Sequence, residues 1–238
     1  ESGDQVFARI AKDFAKKLSV LGTVYVNDAF GTAHRAHAST SVIAGFFPQK
    51  KFFGYLMAGE IENANRVLNH AVKPFTAIMG GAKVSDKILL IEQLMKKVDN
   101  LIIGGGMAFT FIKAQGGKTG SSLVENDKLP LALQIMETAK TLGVQIHLPV
   151  DAIVADKFDE NANSKISDIN AIPDGWMGLD IGPQSEIIFS SVVKKSKTIL
   201  WNGPAGVFEF EKFSHGTLSI AKDIAEATSN GAFSLIGG

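Results

Sequence analysis

Apolar residues recur along this chain with two different periods, and the switching between them lays out its elements. Val6, Ile10, Phe14 and Leu18 stand at helical spacing, which predicts a helix over Gln5 to Leu18 with Leu21-Gly22 as its stop. Val24-Tyr25-Val26 is a short strand. Phe46-Phe47-Pro48 and Phe52-Phe53-Gly54 read as an aromatic, turn-marked boundary. A long helical pattern then runs from Tyr55 to Val72, with Leu56, Ile61, Ala64, Val67 and Leu68 on one side, and Lys73-Pro74 ends it because the residue before proline disfavours helix.

From Pro74 onward the pattern repeats. Short continuous apolar runs at 74–79, 101–103, 145–149, 198–201 and 232–236 read as strands buried on both faces, with helical patterns between them. This predicts an α/β fold, a doubly wound parallel sheet with helices on both faces. Four of the strands finish in Gly-Gly or Asn-Gly-Pro: at Gly80-Gly81, Gly104-Gly105-Gly106, Asn202-Gly203-Pro204 and Gly237-Gly238. In a doubly wound sheet those C-terminal ends line one crevice, the expected ligand position.

The stretch Ala77-Ile-Met-Gly-Gly-Ala-Lys-Val-Ser-Asp-Lys87 concentrates the candidate chemistry. A helix is predicted over Val84 to Lys97, from Ile88, Ile91, Leu94 and Met95. Two glycines allow close backbone approach, and a helix N-terminus offers N–H donors to an anion. With the helix starting near Lys83, Lys83 and Lys87 share one face. The arrangement fits a phosphate cradle; an ordinary strand-to-helix turn with two solvated lysines fits the same spacing. A second segment, Asn27 to Ser39, places His34, Arg35 and His37 just past a strand end. Arg35 has the fork geometry for a phosphate or carboxylate, and an exposed basic loop accounts for it equally. The two histidines lack a third metal ligand.

Composition narrows the classes. The 238 residues are 45% hydrophobic and 20% charged, enough apolar content for a sizeable core, and 24 basic residues balance 24 acidic ones. That balance argues against a general nucleic-acid or membrane-surface protein. There is no cysteine, which excludes disulfides and thiolate chemistry. No apolar run approaches the roughly 20 residues of a membrane span.

Several motifs fail on inspection. A dinucleotide fingerprint starting at Gly104 needs glycine where Phe109 stands. Gly117-Lys118-Thr119 resembles the end of a Walker A loop, but the leading glycine falls on Ile112, and Gln115 to Gly120 reads as a helix stop and loop. Asp151, Asp156 and Asp159 match no calcium-loop spacing and read as solvated loop acids or helix caps.

Taken together, Val24 to Ser39, Met79 to Lys87, Ile103-Gly-Gly-Gly-Met-Ala-Phe-Thr-Phe111, Leu148-Pro-Val-Asp151, Gly175-Trp-Met-Gly-Leu-Asp-Ile-Gly-Pro183 and Trp201-Asn-Gly-Pro-Ala-Gly-Val-Phe-Glu209 resemble the phosphoglycerate kinase family, in the family's order and over essentially the whole chain. The resemblance implies a hinge kinase with one lobe for 3-phosphoglycerate and one for MgADP or MgATP, transferring a phosphoryl group between 1,3-bisphosphoglycerate and ADP. It implies that Arg35 grips the phosphoglycerate, that Lys87 meets the nucleotide phosphates and that Lys83 meets the migrating group. Gly81, Gly105 and Gly178 match backbone positions around the nucleotide, and Phe158 lies near the matching adenine pocket. Asn202 and Pro204 match the loop on the phosphate and base side, and Glu209 the carboxylate on the ribose hydroxyls.

The implied organisation is 1–53 as the end of the substrate lobe, 54–73 as a hinge helix and 74–238 as the nucleotide lobe. Most of the family's first lobe and its last segment are expected to be missing. The carboxylate that binds the nucleotide's Mg2+ is therefore expected beyond Gly238, and no residue here is assigned to metal. A cytoplasmic monomer without nucleic-acid or membrane partners is implied for the parent. For the chain alone the alternative is an adenine-nucleotide-binding module without catalytic activity.

Overall fold

The computed structural model describes residues 3–33 and 35–237; His34 lies outside the described residues. The chain divides into two compact units between Arg66 and Val67.

The first unit contains α1 (Gly3–Ser19), β1 (Tyr25–Asn27), β2 (Lys51–Phe53) and the start of α2 (Tyr55–Asn69). β1 and β2 pair in parallel, Val26 opposite Phe52. The aromatic stretch at 52–53, read from sequence as a boundary, is therefore a strand. Its core is Ala15, Ile43 and Phe47, joined by Leu18, Tyr25, Val42 and Phe46. Of the predicted apolar face of α1, Ile10 and Phe14 are exposed, because the packing falls on the Ala15 and Leu18 side. Asp28, just past β1, accepts the Met57 N–H at 2.8 Å and so caps the first turn of α2. The same carboxyl group lies where a Cβ on Gly54 would stand. α2 ends at Asn69 rather than Val72, and the bond between Lys73 and Pro74 is cis.

The second unit is built on five parallel strands in the order β12-β11-β3-β4-β6: Phe233–Gly237, Thr198–Asn202, Phe75–Met79, Asn100–Ile103 and Gln145–His147. β3 is central and buried along its whole length. Alternate side chains of a strand point to opposite faces, and β3 shows why its sequence is apolar at all but one position. Phe75, Ala77 and Met79 join Leu101 and Ile103 against α3 (Ile88–Leu94), α4 (Ala108–Ala114) and α5 (Leu129–Leu142). Ile78 joins Ile102 and Ile199 on the other face, against α6 (Pro183–Val193) and α7 (His215–Ser229). Thr76, the polar exception, shares a hydrogen bond of 2.7 Å with Ser196.

The predicted strands appear within a residue or two, and the doubly wound arrangement is as expected. Three readings are corrected. Lys118–Thr119 is not loop but β5, a two-residue strand paired with β9 (Ala171–Ile172). Asp151–Ala155 is β7, the middle strand of a separate antiparallel sheet with β8 (Ser164–Asp168) and β10 (Met177–Ile181). α3 begins only at Ile88, four residues later than predicted, because 84–87 forms a turn held from outside the helix.

Candidate functional site

The C-terminal ends of β3, β4 and β11 converge, and their glycine-marked loops bind one another. The Gly80 N–H donates to the Asn202 carbonyl at 2.9 Å and the Gly81 N–H to that of Pro204 at 3.1 Å. Gly105 N–H donates to Ala205 at 2.9 Å, and Met107 N–H to Gly81 at 3.0 Å. The backbone donors of Gly81 and Gly105, expected to face a ligand, hold the loops together instead. Gly80 is required for this approach: a Cβ there would stand 2.0 Å from the Pro204 carbonyl oxygen.

Beside these loops lies a cavity of about 400 Å³. Gly81, Gly105, Phe158, Gly178, Pro204 and Glu209 all line it. Phe109, Leu123, Ile169, Leu179 and Val207 make most of its wall apolar. The antiparallel sheet supplies one side. The register of β10 against β7 slips between Gly178 and Asp180, and Gly178, Leu179 and Asp180 all line the cavity. At Gly178 a Cβ would meet the Phe109 ring at 2.0 Å, so glycine lets that ring lie against β10. Phe158 packs at the rim on Phe210, ring centroids 5.2 Å apart. An apolar cavity of this size, with the Glu209 carboxylate in its lining, suits a planar heteroaromatic ring joined to a hydroxyl-bearing group.

The cationic side is arranged differently from its sequence reading. Lys87 is the residue that caps α3, and its ammonium donates to Asn202 Oδ1, tying the β3 loop to the β11 loop. Lys83 is exposed in the loop ahead of the turn and does not share a helix face with Lys87. Nor are the N–H groups at the head of this segment open to an anion. Glu125 Oε2 accepts Val84 N–H at 2.6 Å and Ser85 N–H at 3.1 Å, and Oε1 accepts the Ser85 hydroxyl at 2.5 Å. This carboxylate, from a loop forty residues away, had no motif to announce it. Phe109 has no role assigned by the sequence beyond breaking a fingerprint and standing inside the Ile103 to Phe111 segment.

Two further carboxylates at the cavity are committed to helix ends. Asp151 accepts Gln184 N–H at 3.0 Å, with Ser185 N–H at 2.8 Å and the Ser185 hydroxyl, at the start of α6. Asp180 accepts Gly216 N–H at 2.8 Å at the start of α7. Both sit where helix dipoles favour negative charge. Burial nevertheless pushes the Asp180 carboxyl up to about 6, against the lowering effect of the Gly216 and Ile181 N–H groups. With their oxygens so engaged, these residues do not form a metal-ligand set, and among the described residues no cluster of three such side chains occurs.

Arg35 belongs to the first unit. It lines a separate cavity of about 520 Å³ with Lys51, Tyr25, Asn27, Thr40 and Phe52. His37 is exposed and does not line it.

Glu125 gives a pH signature. Burial raises its carboxyl, but the Ser85 hydroxyl and the Ser85 and Val84 N–H groups outweigh that and hold it below the usual range. Its folded-state pKa lies below its unfolded one, so its contribution is present above the unfolded value and is lost as pH falls through the folded one. Glu125→Gln is expected to lower the thermal midpoint near pH 7 by about 2–4 °C, for a loss of about 1 kcal/mol. The gap from the parent should close as pH falls through the usual glutamate range, at about 4.3, and below it. Thermal unfolding across that range checks it; a constant gap contradicts the assignment.

Comparison with known proteins follows the same lines. The family model described as phosphoglycerate kinase matches residues 2–238. A phosphoglycerate kinase of Porphyromonas gingivalis is 56% identical over 228 residues, covering 95% of this chain and 54% of the relative. A cytosolic phosphoglycerate kinase of Arabidopsis thaliana is 56% identical over 226 residues, covering 95% and 56%. The structure of phosphoglycerate kinase from Coxiella burnetii superposes with a TM-score of 0.87 at 43% identity, over 95% of this chain and 57% of that one. That from Pyrococcus horikoshii superposes with a TM-score of 0.81 at 29% identity. The chain thus spans a little over half the length of these relatives. With its glycine-stitched cavity and its conforming sequence, it belongs to the phosphoglycerate kinase family.

Proposed function

We propose that this chain carries the nucleotide site of a phosphoglycerate kinase, which transfers a phosphoryl group reversibly between 1,3-bisphosphoglycerate and ADP. The observation that carries the reading is the cavity at the ends of β3, β4 and β11, apolar along its wall; Lys87 and Asn202, paired with each other, are not in its lining, but the Lys87 side chain lies next to the lining residue Gly81.

The adenine ring lies in the slot among Phe109, Leu123 and Val207, with Phe158 at its rim. Glu209, at the cavity edge, accepts from the ribose hydroxyls. The phosphates extend past the glycine loops toward Lys87 and Asn202. Lys83, exposed on the same loop, reaches the migrating group. Phosphoryl transfer asks for in-line positioning and cancellation of charge rather than covalent chemistry. Fixed ammonium groups supply that cancellation once water is excluded. A general base is unnecessary because the acceptor oxygens are already anionic.

Mg2+ would arrive with the nucleotide and would supply further cancellation of phosphate charge; Asp151 and Asp180 hold helix ends and are not assigned to it. Arg35, with Lys51 in its cavity, suits the anionic phosphoglycerate. The segment 54–73 is assigned as the hinge, and the division between Arg66 and Val67 falls within it. The reading is of a monomeric enzyme acting on small molecules, without nucleic-acid or membrane partners; no helix among the described residues is long and apolar enough to cross a membrane. A cytoplasmic setting is favoured by relatives named as cytosolic, beside others named as chloroplastic. Calorimetric titration of the chain with MgADP tests the site directly.

A further inference from the structure

The segment that carries both lysines, Lys83 in the loop and Lys87 at the end of the turn, is fastened at two ends. At its base the Gly80 and Gly81 N–H groups are bound to the β11 loop. At its head the Glu125 carboxylate takes three donors, two of them main-chain, from Val84 and Ser85. Glu125 is itself fixed from two sides. Its N–H donates to the hydroxyl of Thr110, a buried residue of α4, at 3.1 Å, and its carbonyl accepts Lys128 N–H at 3.0 Å. The Val84 side chain is fully buried, and the Val84 carbonyl accepts Lys87 N–H at 3.0 Å. The grip on Val84 and Ser85 therefore fixes the backbone on both sides: Lys83 immediately before it and Lys87 two residues after. The carboxylate also fills the N–H pair that an incoming phosphate would otherwise take.

We infer that Glu125 is a positioning residue for the lysine turn: it acts through Lys83 and Lys87, and by occupying the Val84 and Ser85 N–H groups it directs the nucleotide's phosphates to the ammonium groups and Asn202. This rests on the nucleotide-site reading above and adds to it a residue that touches no ligand.

The test pairs binding with amide exchange. Glu125→Gln keeps the size, removes the charge, and leaves one acceptor oxygen where the carboxylate offers two, so the two N–H groups and the Ser85 hydroxyl lose their charge-assisted partner. In calorimetry with MgADP it is expected to weaken binding about five- to tenfold. In a Lys87→Ala background the same substitution should add less than about twofold, because contacts acting through one another are not additive. Equal factors in both backgrounds, or unchanged affinity in the first, overturn the inference. In the unliganded protein, amide exchange over 84–87 should quicken about tenfold while β3 and β4 stay protected; unchanged exchange overturns it as well. That second readout needs no ligand. If the parent chain fails to bind MgADP, the nucleotide reading falls while exchange still decides whether Glu125 fastens the turn. Should Glu125→Gln not fold, Ser85→Ala removes one of the three donors, and a two- to threefold loss of affinity with faster exchange of the turn is expected.

Discussion

Replacing Lys87 with alanine is expected to weaken MgADP binding about 10- to 150-fold while leaving the fold intact. The size follows from removing a charge-assisted contact of about 1.5–3 kcal/mol, with about 1.4 kcal/mol for each tenfold change. The fold should survive because the residue's structural duties are main-chain: its N–H meets the Val84 carbonyl and its carbonyl accepts Ile91 N–H. Only the side chain reaches Asn202 Oδ1. Asn202 keeps its own structural bond, the carbonyl that accepts Gly80 N–H, whatever stands at position 87. The loss should therefore grow with the number of phosphates on the ligand and be small for adenosine, whose ring occupies the apolar slot. Titration of parent and variant with ADP and adenosine checks this. Affinity for MgADP within twofold of the parent contradicts the role.

The second large effect concerns stability. Gly80→Ala would place a Cβ 2.0 Å from the Pro204 carbonyl oxygen and 2.5 Å from that of Gly203. Both obstacles are backbone, so no side chain can swing aside; the ends of β3 and β11 must separate. That strains the Gly80–Asn202 and Gly81–Pro204 hydrogen bonds. Overpacking costs about 1–3 kcal/mol and each lost hydrogen bond about 1 kcal/mol, so a loss of about 3–5 kcal/mol is expected. For a protein of this size that lowers the midpoint by roughly 6–20 °C. By contrast, a Cβ on Gly31 or Gly45 meets nothing within 4 Å. Calorimetric or dichroism melting of the variant is the check; a midpoint within about 2 °C of the parent would mean the strand ends are not packed as described.

What could be read from sequence divides along the range of the interactions. β3 and β4 are plain in the sequence because strands buried on both faces, such as Phe75 to Met79, are apolar at nearly every position and run into glycine. The α3 boundary was not. Val84 fits the apolar period of Ile88, Ile91 and Leu94 and is indeed fully buried, but its N–H is bound by Glu125, 41 residues on. A local window sees the period and not the carboxylate. The antiparallel sheet was missed for a related reason. β8 is polar and mostly exposed, and β7 opens on Asp151, whose burial makes sense only beside the N-terminus of α6. Among site residues, the glycines and Pro204 were legible as strand-end punctuation, and the resemblance assigned their roles. Their duty in stitching three loops together required the register of β11 against β3 and of β3 against β4.

Uptake of nucleotide by this chain is the property on which the assignment of the cavity depends. Calorimetric titration of the folded 238-residue protein with MgADP should show saturable binding to one site, with adenosine markedly weaker than ADP. The heat-capacity change should be negative, as burial of a ring in an apolar slot requires. Absence of saturable heat in a chain shown to be folded would contradict the assignment of this cavity as a nucleotide site.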